Sequence, residues 1–237
     1  QKTAYEIGVR LVGSEMCIRD RFIAIKKMSI QNNKYVINLD VDGGDNAPSS
    51  VLSGAELYLQ DNQDVRFNLY GRKSIIDARI KNLPLLLNSS NIIECEGVID
   101  GNLKPTEAMK KEFRHSSLAK SISSLKNHPQ EATVSSGNTG AMMAYSKVFL
   151  RTVENISRPA IASLFPSKNH PVCFLDLGAN SECDENNLYD FAIMGSIYYQ
   201  ILFPKSACKV SLLNIGSEEL KGNAVIQKTH ELLKNSK

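Results

Sequence analysis

Hydrophobic and polar positions alternate along this chain with two different periods. From Tyr35 onward, short runs rich in Val, Ile and Leu recur at Tyr35–Asp40, Val65–Tyr70, Asn91–Glu94, Glu131–Ser135, Val172–Leu177 and Lys209–Asn214. Between them lie longer stretches with helical periodicity, at Pro48–Leu59, Lys73–Asn82, Thr106–Lys126, Thr139–Thr152, Asn187–Leu202 and Glu219–Lys234. Runs of the first kind predict buried parallel strands. Their alternation with helices predicts an α/β fold, a parallel sheet covered on both faces. Pro48 suits the first turn of its helix, with Asn46 available as the cap. The uncharged stretch Phe191–Pro204 is interrupted by Gly195 and predicts a buried helix. No apolar run reaches the roughly 20 residues that a bilayer span needs. No internal repeat or low-complexity linker is visible, and the most turn-rich connection is Phe165–Pro171 (FPSKNHP).

The first 27 residues break this pattern. QKTAYEIGVRLVGSEMCIRDRF shows no sustained period and no capping signal, and it precedes Met28. It resembles spurious translated sequence, so residues 1–27 are expected to be a disordered, non-native extension and residues 28–237 the α/β domain.

Composition narrows the function classes. Of 237 residues 42% are hydrophobic and 22% charged, enough for one large core or two small ones. The net charge of +3 is spread out, which argues against a nucleic-acid partner. The basic residues that do cluster are Lys110, Lys111 and Arg114; they form either a solvated helix face or a surface for an anionic partner. The five cysteines are dispersed, as reduced cytosolic thiols are, and Cys95, Cys173 and Cys208 read as small buried hydrophobes. No metal-ligand spacing is present, so no metal and no cofactor are expected.

The loops carry the candidate chemistry, because ligands of open α/β sheets bind at the carboxyl ends of strands. The first loop is Asp40-Val41-Asp42-Gly43-Gly44-Asp45-Asn46-Ala47-Pro48. Its glycines allow close backbone approach to a ligand, but three exposed aspartates would repel an anion. At least one is then tied up structurally or acts elsewhere. Asp40 either links loops or takes part in the site, and Asp45 is an alternative cap for the following helix. The second loop, Ser135-Ser136-Gly137-Asn138-Thr139-Gly140-Ala141, runs into a helix. Hydroxyls and free amides at a helix N-terminus make an anion cradle; the other reading is a tight strand–helix turn. The third loop is Leu175-Asp176-Leu177-Gly178-Ala179-Asn180, and the fourth is Leu212-Leu213-Asn214-Ile215-Gly216-Ser217-Glu218-Glu219, followed by Lys221-Gly222. All four are expected on one sheet edge.

In this order and rough spacing, DVDGGDNAP, SSGNTGAMMA, RPAIA, FLDLGAN, FAIMGS and LLNIGSEELKG resemble the PlsX-type phosphate acyltransferases over about Tyr35 to Leu233. The resemblance implies a three-layer α/β/α sandwich like that of phosphotransacetylases and isocitrate dehydrogenases. It also implies transfer of a fatty acyl group from acyl carrier protein to inorganic phosphate in phospholipid synthesis. Further implied are a homodimer, peripheral contact with the inner face of the cell membrane, and a membrane glycerol-3-phosphate acyltransferase downstream. The sequence departs from the family at Asp42, where methionine is usual, and at Ser181-Glu182, where aspartate is usual. Family members continue past this terminus, so the chain is expected to be incomplete at its C-terminal end.

Phosphate is itself a competent nucleophile, so the protein has to bind it, orient it and stabilise the oxyanion that develops on the thioester. The expected holders of phosphate are Ser136, Gly137, Asn138 and Thr139. Asn180 and Asn214 are expected to donate near the carbonyl. Lys221 or Arg158 would neutralise charge, against readings as a solvated lysine and a structural ion pair. Lys110, Lys111 and Arg114 would dock the acidic carrier protein. Three rival readings are an acyl-CoA-using phosphotransacetylase, a metal- and nicotinamide-dependent dehydrogenase, and a non-catalytic binding module. The dehydrogenase needs clustered acidic ligands and an adenine-binding loop that the sequence does not offer.

Overall fold

The computed structural model describes residues 35–168, 170–216 and 221–236. Residues 1–27 and the start of the helix predicted from Glu219 lie outside the described residues. The chain divides into two compact units, one ending at Val153 and the other beginning at Glu154.

The first unit holds a parallel sheet. Its strands are β1 (Tyr35–Asp40), β2 (Val65–Gly71), β3 (Ser90–Glu94) and β4 (Ala132–Val134), in the order β3-β2-β1-β4. The helices are α1 (Ser49–Asp61), α2 (Lys73–Ile80), α3 (Pro84–Asn88), α4 (Pro105–Ala108), α5 (Ser117–Ser124) and α6 (Thr139–Phe149). The fold is α/β with a mostly parallel sheet flanked by helices. Alternation along β1 and β2 separates two unlike faces. Leu39, Val41, Val65, Phe67 and Leu69 point to one side, where they bury against Leu52 and Leu59 of α1 and Ile76 of α2. Each such side chain contributes about 1.5–3 kcal/mol when fully buried.

The opposite face is polar. Asn38, Asn68 and Asn91 stand at one register across β1, β2 and β3. Asn91 donates to Asn68 (3.4 Å), and Asn68 donates to Asn38 (2.9 Å). Asn38 ends the row by donating to Ser124 Oγ and Glu131 Oε2, both at 2.9 Å. The serine-rich helix α5 covers this face because its i, i+4, i+7 serines turn toward the sheet. Its Leu118, Ala119 and Ile122 turn the other way, onto Ala141 and Tyr145 of α6. Tyr145 is fully buried and donates its hydroxyl to the Ala108 carbonyl at 2.6 Å.

The second unit contains an antiparallel pair, β5 (Ser163–Phe165) and β6 (Val172–Phe174), with α7 (Glu185–Leu202) and α8 (Ala224–Lys234). A reciprocal Asp184–Asn187 capping box starts α7, and Asn223 caps α8 by accepting from Ile226 N.

Several sequence expectations require correction. The single helix predicted over Thr106–Lys126 is α4, a 3-10 turn at Lys111–Phe113, and α5. Backbone at Lys110 and Ser116 is extended, and the Ser116 hydroxyl caps a new helix by accepting from Ala119 N. Lys110, Lys111 and Arg114 are exposed but share no helix. Neither Asn46 nor Asp45 caps α1 with its side chain: Pro48 takes the N-cap position, and the Asn46 carbonyl accepts from Ser50. The run Lys209–Asn214 forms no strand, having no ladder partner among the described residues. The run Val172–Leu177 is strand only to Phe174, and it pairs with Ser163–Phe165, too short to show a period. The stretch Phe191–Pro204 is not buried: Phe191 is enclosed, but Ile193, Ile197, Tyr198 and Ile201 are exposed. Cys95 is buried, whereas Cys173 and Cys208 are half-buried.

Candidate active site

The strand order places β4 beside β1, opposite to the direction in which β1, β2 and β3 succeed one another. The order in which strands are added therefore reverses between β1 and β4, although the two run parallel. Such a switch point opens a crevice at the carboxyl ends of the strands. The loops that flank it are residues 41–48 and 135–138, the first and second loops of the sequence.

These two loops are bonded to each other. Ser135 Oγ donates to Asp40 Oδ2 at 2.7 Å, and Gly137 N–H donates to Ser135 Oγ at 3.0 Å. Ser136 Oγ donates to the Gly43 carbonyl at 2.7 Å. The approach is too close for side chains: a Cβ on Gly43 would stand 2.3 Å from Asp40 Oδ2, and one on Gly137 would stand 3.1 Å from Gly43 Cα. Gly44, at φ +107°, also occupies the left-handed region that favours glycine.

Asn138 anchors the second loop from below. Its Oδ1 caps α6 by accepting from Ala141 N at 2.8 Å. Its amide donates to the carbonyls of Asp100, Gly101 and Leu103 at 3.0, 3.0 and 2.8 Å. So three of the four expected phosphate holders spend groups on structural bonds: the Ser136 hydroxyl, the Gly137 N–H and the Asn138 amide. The groups left open include the exposed Thr139 hydroxyl and the N–H groups of Thr139 and Gly140, which have no partner among the described residues. They are the first N–H groups of α6, which no helix can satisfy internally, and they sit at its positive end.

The three aspartates of the first loop resolve into three environments. Asp42 is buried and held by Arg72, whose Nε lies 3.3 Å away and whose backbone N–H donates at 3.1 Å. The added charge at this position is thereby paired. Asp45 is exposed. Asp40 is 1% exposed, and its Oδ1 has no hydrogen-bond partner. Burial pushes its pKa up, Asp42 adds to the rise, and the hydroxyls of Ser117 and Ser135 with the Gly43 backbone pull against it. Sequence reading passed over Arg72, whose only signal was a cation directly after an apolar strand on the edge that carries Asp42.

In the second unit the expected residues form two local knots. Asp176 accepts from the backbone N–H groups of Ile161, Ala179 and Asn180 at 2.9, 3.2 and 2.8 Å. The Asn180 amide donates to Asp176 Oδ2 and the Pro159 carbonyl, both at 3.0 Å. Burial raises the Asp176 pKa, but these donors outweigh it and leave it lowered. Gly178 turns this loop at φ +94°, and Arg158 donates to the Glu182 carbonyl. In the other knot, Asn214 donates to the Lys221 carbonyl at 3.0 Å and accepts from Ile215 N at 2.8 Å. Gly216 follows, and Lys221 is exposed. The expectation of four loops on one sheet edge therefore needs correction. Only the first two follow strands of the parallel sheet, because β6 belongs to a separate antiparallel pair and residues 209–214 are not a strand. Among the described residues no group of three His, Cys, Asp or Glu side chains is placed to hold a metal ion.

A family model described as fatty acid synthesis protein matches residues 35–237. The chain belongs to that family. It is 39% identical over 197 residues to a phosphate acyltransferase of Pelagibacter ubique, covering 83% of this chain and 58% of that protein. It is 41% identical over 213 residues to a phosphate acyltransferase of Wolbachia pipientis, covering 88% and 61%. A phosphate acyltransferase of Acidiphilium cryptum is 36% identical over 201 residues, covering 85% and 52%. The chain thus spans a little over half the length of these relatives.

Proposed function

We propose that the protein is a phosphate acyltransferase that moves a fatty acyl group from acyl carrier protein onto inorganic phosphate, in phospholipid synthesis. The observation that carries this reading is the switch-point cradle, where uncommitted donors at the start of α6 face out between two interlocked loops. Phosphate sits on the Thr139 hydroxyl and the N–H groups of Thr139 and Gly140. Ser136, Gly137 and Asn138 hold the loop in shape, with Gly43 and Gly44 giving the space. The bound phosphate attacks the thioester carbonyl, the carbon–sulfur bond breaks, and the carrier's thiol leaves. Held donors at the attack site lower the barrier because they need no reorganisation.

In the second unit Asn180 and Asn214 act on the shape of their own loops, since their amides are already bonded there. Exposed Arg158 and Lys221 are the cations those loops present to a charged substrate. The exposed Lys110, Lys111 and Arg114 are the docking surface for an acidic carrier protein, a short way along the chain from the Asp100, Gly101 and Leu103 carbonyls that Asn138 holds. The protein works as a homodimer at the inner membrane surface and hands its acyl phosphate to a membrane glycerol-3-phosphate acyltransferase. No described helix is long and apolar enough to cross a membrane.

The test is Thr139→Ala. Loss of one donor to a charged oxyanion is expected to weaken phosphate binding about tenfold or more, at about 1.5–3 kcal/mol per such bond. Phosphate saturation curves for acyl transfer, with circular dichroism to confirm folding, measure it. An unchanged phosphate requirement would remove the cradle from the mechanism.

A further inference from the structure

Asp40 is used by none of the steps above, yet it lies at the junction of both loops. Its Oδ2 receives the Ser135 hydroxyl, which receives Gly137 N–H, so one carboxyl group sets the height of the second loop against the first. Gly43 and Gly137 close over it. Its other oxygen is buried without a hydrogen-bond partner.

We infer that Asp40 positions the cradle for its anion, and that it does so as a neutral carboxylic acid. This rests on the reading of the cradle as an anion site. Ionised, the carboxyl would bury its charge with one oxygen lacking a hydrogen bond and only the nearby Ser117 hydroxyl to offset it, and would set like charge beneath phosphate. Neutral, it carries its proton on Oδ1 toward Ser117, the first residue of α5, and still accepts from Ser135. Burial favours that form, as does the neighbouring Asp42, while the Ser117 and Ser135 hydroxyls and the Gly43 backbone favour the ionised one.

The other groups around it do not supply a competing switch. Asp42 is held by Arg72. Cys95, after β3, has its thiol pushed up to about 11 by burial, so it stays neutral. Lys120 of α5 donates its ammonium to the Glu94 carbonyl at 2.9 Å. Tyr70, the register neighbour on β2, is raised by burial and stays neutral too. Ser117 and Ser135 do not titrate. Asp40 is thus the group whose ionisation changes the charge under the crevice.

The experiment is calorimetric titration of the whole chain with inorganic sulfate, whose charge is constant across the neutral range, over a series of pH values. Wild-type affinity is expected to fall about tenfold per pH unit above the Asp40 pKa, as proton-linked binding requires. Asp40→Asn keeps the shape without the charge, so its affinity is expected to match the low-pH wild-type value at every pH. A variant that keeps the wild-type slope overturns the inference and leaves the cradle standing. If neither sulfate nor phosphate binds the wild type, or if Thr139→Ala binds both as tightly, the cradle reading falls and this inference with it. Should Asp40→Asn fail to fold, Ser135→Ala replaces it. That change is expected to weaken sulfate binding at all pH values, with Ser135→Thr restoring it, and unchanged binding by Ser135→Ala overturns the tie.

Discussion

Two aspartates, Asp40 and Asp176, end short strand runs in this sequence, and the structure treats them in opposite ways. Asp176 is surrounded by N–H donors and stays ionised; Asp40 is buried, accepting from Ser135 and lying near the Ser117 hydroxyl, with one oxygen lacking a hydrogen bond. Their linkages to pH have opposite signs. The Asp176 pKa is lowered on folding, so its contribution is present above the unfolded value and is lost as pH falls through the folded one. The Asp40 pKa is raised, so stability is greatest below the unfolded value and declines as pH rises through the folded one. Asp176→Ala is expected to lower folding stability by about 2–3 kcal/mol, since it strands several N–H groups. It should also remove the part of the acid dependence that belongs to this carboxylate. Urea unfolding of wild type and variant from neutral to acid pH measures both; equal stabilities throughout would show that the knot around Asp176 is not maintained.

Among the elements, α5 shows how much a single hydroxyl decides. Ser116 starts it, and without that cap the chain from Thr106 onward has the periodicity of one continuous helix. Ser116→Ala is expected to cost about 1 kcal/mol, the usual value of an N-cap, read as a lower thermal midpoint. No change would mean that α5 is held by packing alone. Here the sequence is informative in one way and silent in another. The strands β1 and β2 were legible because both bury an apolar face, and the two glycine-containing loops because glycines and hydroxyls cluster where a strand meets a helix. The break at Ser116 was not, since serine in a helical stretch reads equally as a cap or as a surface position. The bonds of Asn138 to residues 100, 101 and 103, and of Asp42 to Arg72, join positions far apart in the chain, which no local pattern reveals. The run Lys209–Asn214 has strand composition, but a strand exists only with a ladder partner.

For the protein as a whole, the carrier must find the site through charge before chemistry begins. Converting Lys110 and Lys111 to Glu should slow association with an acidic carrier protein and flatten its salt dependence, because steering acts over about a Debye length, roughly 8–10 Å at ordinary ionic strength. Stopped-flow association at several salt concentrations reads this; an unaltered salt slope would move the docking surface elsewhere. The central claim is that the acyl acceptor is inorganic phosphate, bound at the crevice between β1 and β4. It is tested most directly by following thiol release from palmitoyl-acyl carrier protein with and without phosphate, using this chain and a version extended to the span of its relatives. The account expects release that depends on phosphate and saturates with it in the extended version, and that weakens in Thr139→Ala. Thiol release at the same rate without phosphate, or none with it, would contradict the account.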